Sequence, residues 1–456
     1  MIFNSSEFNK NWPTKTLADL GTFKRGKSKH RPRNDIRLFS DGKIPLIQTG
    51  DVRHANLYIN EHSSSYNKFG LVQSKLWPKG TLCITIAANI AETAILSYDM
   101  CFPDSIVGFN AYEKECSEHF MHYIFSYIRS SIQSRIQGSI QDNINIEYLT
   151  GLNFKIPEKF LRRGITKVLS DLDTKIEVNN KINQQLEAMA KLVYDYWFVQ
   201  FDFPMSKDYA NAIGKPELTG KPYKTSGGKM VYNAELKREI PEGWEDGILS
   251  DIAEITMGQS PAGSSYNQKG IGTLFYQGST DFGLRFPTVR QYTTEPSRMA
   301  QKGDVLLSVR APVGTINQAM EDCCIGRGLA SLREKKGSIS YLWSQMVYFK
   351  QIFDRKNASG TTFGAITKNE LFGLKVSIPN EQVLNNFKEI VDPLHDKIIV
   401  CSKENQKLAE LRDWLLPMLM NGQVSVKGTY KEAEDVAMSP NNYRQVAEDD
   451  VKYGKE

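Results

Sequence analysis

The sequence predicts a mixed α/β (α+β) chain made of two modules in tandem, each followed by a long helix. The two helices are expected to pair as an antiparallel coiled coil with pseudo-two-fold symmetry. Three observations predict this: the chain repeats itself, each copy ends in an apolar stripe at helical spacing, and its 456 residues exceed the size of one hydrophobic core. Hydrophobic residues at 40% and aromatics at 11% supply enough apolar material to fill such cores.

The repeat begins at Trp12, which aligns with Trp244. Without a gap, Leu17 then meets Leu249, Asp19 meets Asp251, Leu20 meets Ile252, Gly26 meets Gly258 and Ser28 meets Ser260. LWPKGTLCITIAANIAET lies over MAQKGDVLLSVRAPVGTI, placing Cys101 over Cys324. A third block sets Leu149, Gly151, Leu152, Ile156 and Pro157 over Leu371, Gly373, Leu374, Ile378 and Pro379. The implied organisation is a first module at 1–160, a central helical spacer at 161–203, a connector at 204–243, a second module at 244–382, a C-terminal helical spacer at 383–424 and a polar tail at 425–456. The connector earns its place by composition, since GKPELTGKPYKTSGGK is rich in Gly, Pro, Lys and Ser.

GTFKRGKS, Gly21 to Ser28, matches the phosphate-loop pattern G-x-x-x-x-G-K-[ST]. Its repeat counterpart lacks both Gly21 and Lys27, having Ala253 and Gln259. Upstream, TKTLADL is too polar for a buried parallel strand, and Pro32 stands where a helix would start. The shared feature is a turn around Gly26 and Gly258, and nucleotide binding is not expected. The histidines have no zinc spacing. Pro103-Asp104 lacks the acid-x-Lys that a metal-dependent nuclease needs, and no amino-methyltransferase loop of the Asn/Asp-Pro-Pro-aromatic type occurs. The six cysteines include no C-x-x-C pair, and no stretch of about 18 apolar residues is present. These features predict a cytoplasmic protein with reduced thiols, no membrane segment, no bound cofactor or metal and no catalysis of its own.

Between Ile165 and Val199 there is neither proline nor glycine. Alternating steps of four and three give a seam of Ile165, Leu169, Leu172, Ile176, Asn179, Asn183, Leu186, Ala190, Val193 and Trp197. The second copy gives Phe387, Val391, Leu394, Ile398, Cys401, Asn405, Leu408, Arg412, Leu415 and Leu419. An antiparallel register with Ile165 opposite Leu419 sets Leu172 near Arg412 and Asn179 opposite Asn405. The alternative is that each helix packs only on its own module. About 33 residues at ~1.5 Å each make a helix of about 50 Å, longer than one turn of duplex DNA at about 34–36 Å.

Net charge is only +5, yet Lys24, Arg25, Lys27, Lys29, Arg31 and Arg33 fall in ten residues with no acid among them. Such a run is either a solvated loop or a grip on an anionic partner. Several stretches decide between these by resemblance: LEAMAKLVYDYWFVQFDFP (186–204), GKPYKTSGGKMVYN (220–233), LKREIPEGWE (236–245), GDVLLSVRAPVGTI (303–316) and RDWLLPMLMNGQV (412–424). In this order they resemble the DNA-specificity subunit of type I restriction-modification systems, over nearly the whole chain. The first module departs from the pattern, with Ala87 where the second has Arg310.

The resemblance implies two target-recognition domains, each reading one half of a bipartite, asymmetric double-stranded DNA target. It implies two modification (methyltransferase) subunits that carry S-adenosylmethionine, and restriction subunits that supply the nuclease and an ATP- and Mg²⁺-dependent translocase. The basic run is the expected backbone grip, with some base readout by Arg25 or Lys27. Base readout is expected from polar loops holding Gln48, Thr49 and Arg53 in the first module and Gln277, Ser279 and Thr280 in the second, together with Gln259 and Arg310. Two rival readings are a self-contained restriction-modification enzyme and a helical scaffold protein without sequence-specific DNA binding.

Overall fold

The structure, a computed structural model, describes residues 2–137, 144–358 and 364–426. The polar tail expected at 425–456 therefore lies, from residue 427 onward, outside the described residues. The chain divides into two compact units, residues 1–174 with 409–456 and residues 175–408.

In the first unit, alternating and fully apolar runs build a five-stranded sheet. Its order is Gly21–Arg25, Ile106–Ala111, Leu82–Thr85, Thr93–Leu96 and Tyr58–Ile59. A smaller sheet runs Ser64–Tyr66, Ile44–Leu46, Met100–Cys101 and Leu76–Trp77. The strands Leu82–Thr85 and Thr93–Leu96 are buried along their whole length, with the helix Glu118–Gln137 packed against the sheet. Leu82, Ile84, Val107, Phe109, Phe120 and Ile124 form the heart of that core.

The second unit repeats the plan. Ala253–Met257, Leu329–Glu334, Val305–Ser308 and Ile316–Gln318 form one sheet in the equivalent order, and the helix Ile339–Ala358 packs against it. A second sheet contains Thr273–Tyr276 parallel to Cys323–Ile325, with Phe275 paired to Cys324. Leu46 pairs in parallel with Cys101 in the first unit, so the Cys101/Cys324 alignment marks one structural position.

The central helix spans Lys159–Tyr194 and closes in a π-helical turn, Asp195–Val199. The C-terminal helix spans Glu381–Met420 and continues through Pro393 and Pro417, each of which forfeits one backbone hydrogen bond. Packing offsets that loss: Val391, Ile398 and Leu419 are buried on either side of the prolines. None of the seam positions is exposed.

Within the second unit, Asn179 Nδ2 donates to Asn405 Oδ1 at 2.9 Å and to Glu404 Oε2 at 2.8 Å. Four residues on, Asn183 Nδ2 donates to Ser402 Oγ at 3.1 Å, so partner numbers fall as seam numbers rise and the helices run antiparallel. Within the first unit, Arg412 Nη1 donates to Asp173 Oδ1 at 2.7 Å, and Ile165, Leu169, Leu419 and Met420 share one buried cluster. The cation therefore faces Asp173, one residue beyond Leu172, because a carboxylate there can be paired where leucine cannot.

The connector 204–243 is a folded element, in contrast with its linker-like composition. It contains the helix Lys207–Ala212 and the hairpin of Met230–Asn233 with Arg238–Pro241. Phe203 stacks on Tyr223 at 4.7 Å and on Trp244 at 5.4 Å, and buried Asp202 accepts from the Thr225 amide and hydroxyl, both at 2.7 Å. Gly228 is needed because a Cβ there would lie 2.5 Å from the Tyr223 ring.

Candidate nucleic-acid interface

GTFKR, Gly21–Arg25, is an antiparallel edge strand paired with Ile106–Ala111, and the next helical element, the short 3₁₀ turn Ile36–Leu38, does not start at the Gly26–Ser28 turn. The Gly26 amide donates to Ile106 O at 2.8 Å and the Lys27 amide to Phe102 O at 3.1 Å, so neither is free to cradle a phosphate. The repeat reproduces the pattern, Gly258 donating to Leu329 O and Gln259 to Ile325 O. Both glycines sit under a carbonyl: a Cβ would lie 2.2 Å from Pro103 O at Gly26 and 2.2 Å from Gly326 O at Gly258. Close backbone approach explains the shared Gly.

The basic run is not the acid-free loop that its sequence suggests. Lys24 and Arg25 belong to the strand and, as neighbours in it, point to opposite faces. Asp104, distant in sequence, accepts from Arg33 Nη2 at 2.8 and 3.1 Å, with Arg31 Nη2 at 3.9 Å. Asp35 accepts from His30 Nε2 at 2.8 Å and from Arg37, and these contacts with Arg37 and His30 hold its carboxyl well below the usual range. Gln73 Oε1 accepts from the Lys29 and His30 amides, and Ser74 donates to Lys27 O at 2.9 Å, fixing the backbone of the run. Lys24, Arg25 and Lys29 remain exposed and Lys27 is half-buried.

The segment expected as a polar loop at Gln48–Arg53 is instead the short helix Thr49–His54, started by Gln48. Asp51 accepts from the Gln48 amide at 2.6 Å and Val52 is buried, which together favour the helical turn over a loop. Gln48 and Arg53 stay exposed, and Arg53 Nη1 donates to Asn89 at 3.0 Å.

In the second module four of the expected residues converge. Gln277, Ser279, Thr280 and Arg310 line an open cleft of about 200 Å³, joined by Ser308 and by Arg327, which sequence reading missed. Gln277 Nε2 donates to Ser260 Oγ at 3.0 Å. Buried Asp281 accepts from Arg290, leaving the Ser279–Asp281 turn anchored beneath the cleft. Gln259 is exposed but does not line the cleft, its carbonyl accepting from Ser297 Oγ at 2.5 Å.

The same cleft position in the first module carries different chemistry. The pairings of Leu46 with Cys101 and Phe275 with Cys324 align Gln48 with Gln277 and Asp104 with Arg327. Ala87 already corresponds to Arg310. One scaffold therefore presents two arginines in one copy and alanine with aspartate in the other. A model of the type I restriction modification DNA specificity domain matches residues 9–188 and again 241–412.

The chain belongs to the type I restriction modification DNA specificity domain family.

It is similar to proteins named as specificity subunits. The putative type I restriction enzyme MjaX specificity subunit of Methanocaldococcus jannaschii is 31% identical over 289 residues, 62% of each chain. The type I restriction enzyme MjaIX specificity subunit of the same organism is 24% identical over 441 residues, 92% of this chain and 94% of that one. The crystal structure of the type I restriction-modification system S subunit from M. genitalium has this fold, with a TM-score of 0.53 at 16% identity over 92% of this chain and 99% of that one. This specificity-domain chain thus carries two copies of the family module. Among the described residues there is no group of three His, Cys, Asp or Glu side chains placed to hold a metal, and no helix is long and apolar enough to cross a membrane.

Proposed function

We propose that this chain is the non-catalytic, cytoplasmic DNA-recognition subunit of a type I restriction-modification complex, reading a bipartite asymmetric target. One observation carries the reading: two copies of a DNA-specificity module share backbone and glycine positions yet differ where a cleft opens, at Arg310 and Arg327 against Ala87 and Asp104. Equal scaffolds with unequal readers suit a target whose halves differ. Methylation and restriction are assigned to partners, with S-adenosylmethionine in modification subunits and ATP and Mg²⁺ in restriction subunits.

Two identical modification subunits need two matching surfaces. The long helices offer them at repeat-equivalent positions 222 residues apart, where Val178 corresponds to Val400, Met189 to Leu411 and Leu192 to Trp414, all six exposed. Apolar side chains exposed at matched positions fit paired docking faces. Methylation mapping of DNA modified by the assembled complex tests the reading. A split motif with unlike halves is expected; a continuous motif, or none, refutes it.

The paired helices are proposed to set the spacing between half-sites. Because Asn183 faces Ser402, four residues must be inserted at both places to preserve pairing. The added ~6 Å is expected to lengthen the spacer by about two base pairs at ~3.4 Å each, and an unchanged spacer would remove the helices' measuring role.

A further inference from the structure

Arg327 stands in a Gly-Arg-Gly turn between the strands Cys323–Ile325 and Leu329–Glu334. Its backbone is fixed on both sides. Gly326 donates to Tyr276 O at 2.8 Å, the Val309 amide donates to Gly328 O at 3.0 Å, and the Leu329 amide donates to Gly326 O at 2.9 Å. The glycines press on Gln277: a Cβ would lie 3.0 Å from Gln277 Cα at Gly326 and 2.8 Å from Gln277 O at Gly328. A Cβ at Gly328 would clash with the Gln277 carbonyl and one at Gly326 would be tight, so glycine on both sides together with the three backbone hydrogen bonds holds the turn that carries Arg327.

The guanidinium itself is uncommitted. Arg327 is exposed on the cleft, and among the described residues its side chain has neither an ion pair nor a hydrogen bond. Contrast Arg33, held by Asp104, or Arg290, held by Asp281. Gln277 beside it already uses its amide on Ser260. A rigid backbone carrying a free five-donor fork is preorganised for a planar two-acceptor edge, and the O6/N7 edge of guanine in a major groove is the nucleobase edge that matches arginine.

We propose that Arg327 is a specificity-determining residue of the second module, reading a guanine in the half-site that this module contacts. The aspartate at the equivalent position, Asp104, denies that base to the first module and instead orients Arg33. This rests on the recognition function proposed above. The test uses the assembled complex with full-length chain carrying Arg327→Ala or Arg327→Lys, read by genome-wide methylation mapping and by competition binding to duplexes varied one base pair at a time.

Both variants are expected to lose discrimination at one G·C pair of one half-site, with preference there falling about 10- to 100-fold, while the other half-site stays intact as an internal control of folding. Equal weakening on every duplex, with a salt slope shallower by about one and rescue by lysine, would identify a phosphate contact and overturn the proposal. Unchanged motifs in both variants would overturn it too. If the wild-type complex itself marks no split motif, the recognition function fails, and that outcome is separate from failure of Arg327 alone.

Discussion

Replacing Arg412 by methionine removes the cation that faces Asp173 between the long helices of the first unit. The Asp173 side chain is 4% exposed, accepting from Arg412 Nη1 at 2.7 Å on one oxygen and from the Tyr123 hydroxyl at 2.7 Å on the other. Burial, and then the charge of Asp173, raises the Tyr123 phenol far above its ordinary range, so it stays a neutral donor and cannot replace the lost cation. Stripping one partner from a buried pair costs about 3–5 kcal/mol, and the 30% exposure of Arg412 lowers the expectation to about 2–3 kcal/mol. Asp173→Leu alone leaves Arg412 with Asp413 and solvent, at roughly 2 kcal/mol. In the double variant neither charge is stranded, so its cost is expected to stay near 2 kcal/mol, a coupling of about 2 kcal/mol. Hydrogen exchange along a urea series reads this locally, in peptides covering 159–174 and 409–420, with peptides from 200–360 as the unaffected reference. Additive costs in the double variant would show that the two residues do not pair and that this helix register is wrong.

Acid should loosen both units, because burial pushes His122 and His395 down to about 3 from an ordinary 6.5. The unfolded chain binds the extra proton, so this stability is complete above about pH 6.5 and is lost as pH falls towards 3. At pH 5 each histidine is expected to cost about 2 kcal/mol, read from urea midpoints at pH 7.5 and 5, and His122→Gln should flatten the dependence in the first unit only. Gly258→Ala drives a methyl to 2.2 Å from Gly326 O; a loss of about 2–3 kcal/mol in thermal unfolding is expected, along with displacement of the Arg327 turn. Leu192→Glu and Trp414→Glu, at sites 69% and 57% exposed, should each leave stability within about 0.5 kcal/mol. Each should remove one modification subunit, giving a one-to-one complex by native mass spectrometry; retention of two would exclude these faces.

The repeat and the helical seam were legible because they are local, periodic signals. Trp12 over Trp244 fixes the register of two modules, and a four-three stripe places Asn179 against Asn405 without reference to anything distant. What escaped depends on chain segments meeting in space. Asp104 lies 71 residues from the arginine it holds, so the basic run read as free of acid. Gln48–Arg53 looked like a loop because its polar letters hide one buried residue, Val52, and one carboxylate that caps the turn. Arg327 had a faint local signal, a charged residue between two glycines, but only the approach of Gln277 shows why glycine is required there. The connector misled through composition: Gly228 makes room for the Tyr223 ring, and Gly214, Gly220, Gly227 and Gly243 take left-handed turns in a folded element, where linker glycines serve freedom.

That packed connector also bears on how new specificities arise. Since Phe203, Tyr223 and Trp244 form one stack with the second module's core, a crossover falling inside 204–243 would split an aromatic lock between two parents. Junctions ahead of the central helix, near Pro157, leave the lock whole, so genetic shuffling that respects this boundary can trade one reader while keeping the other in working order.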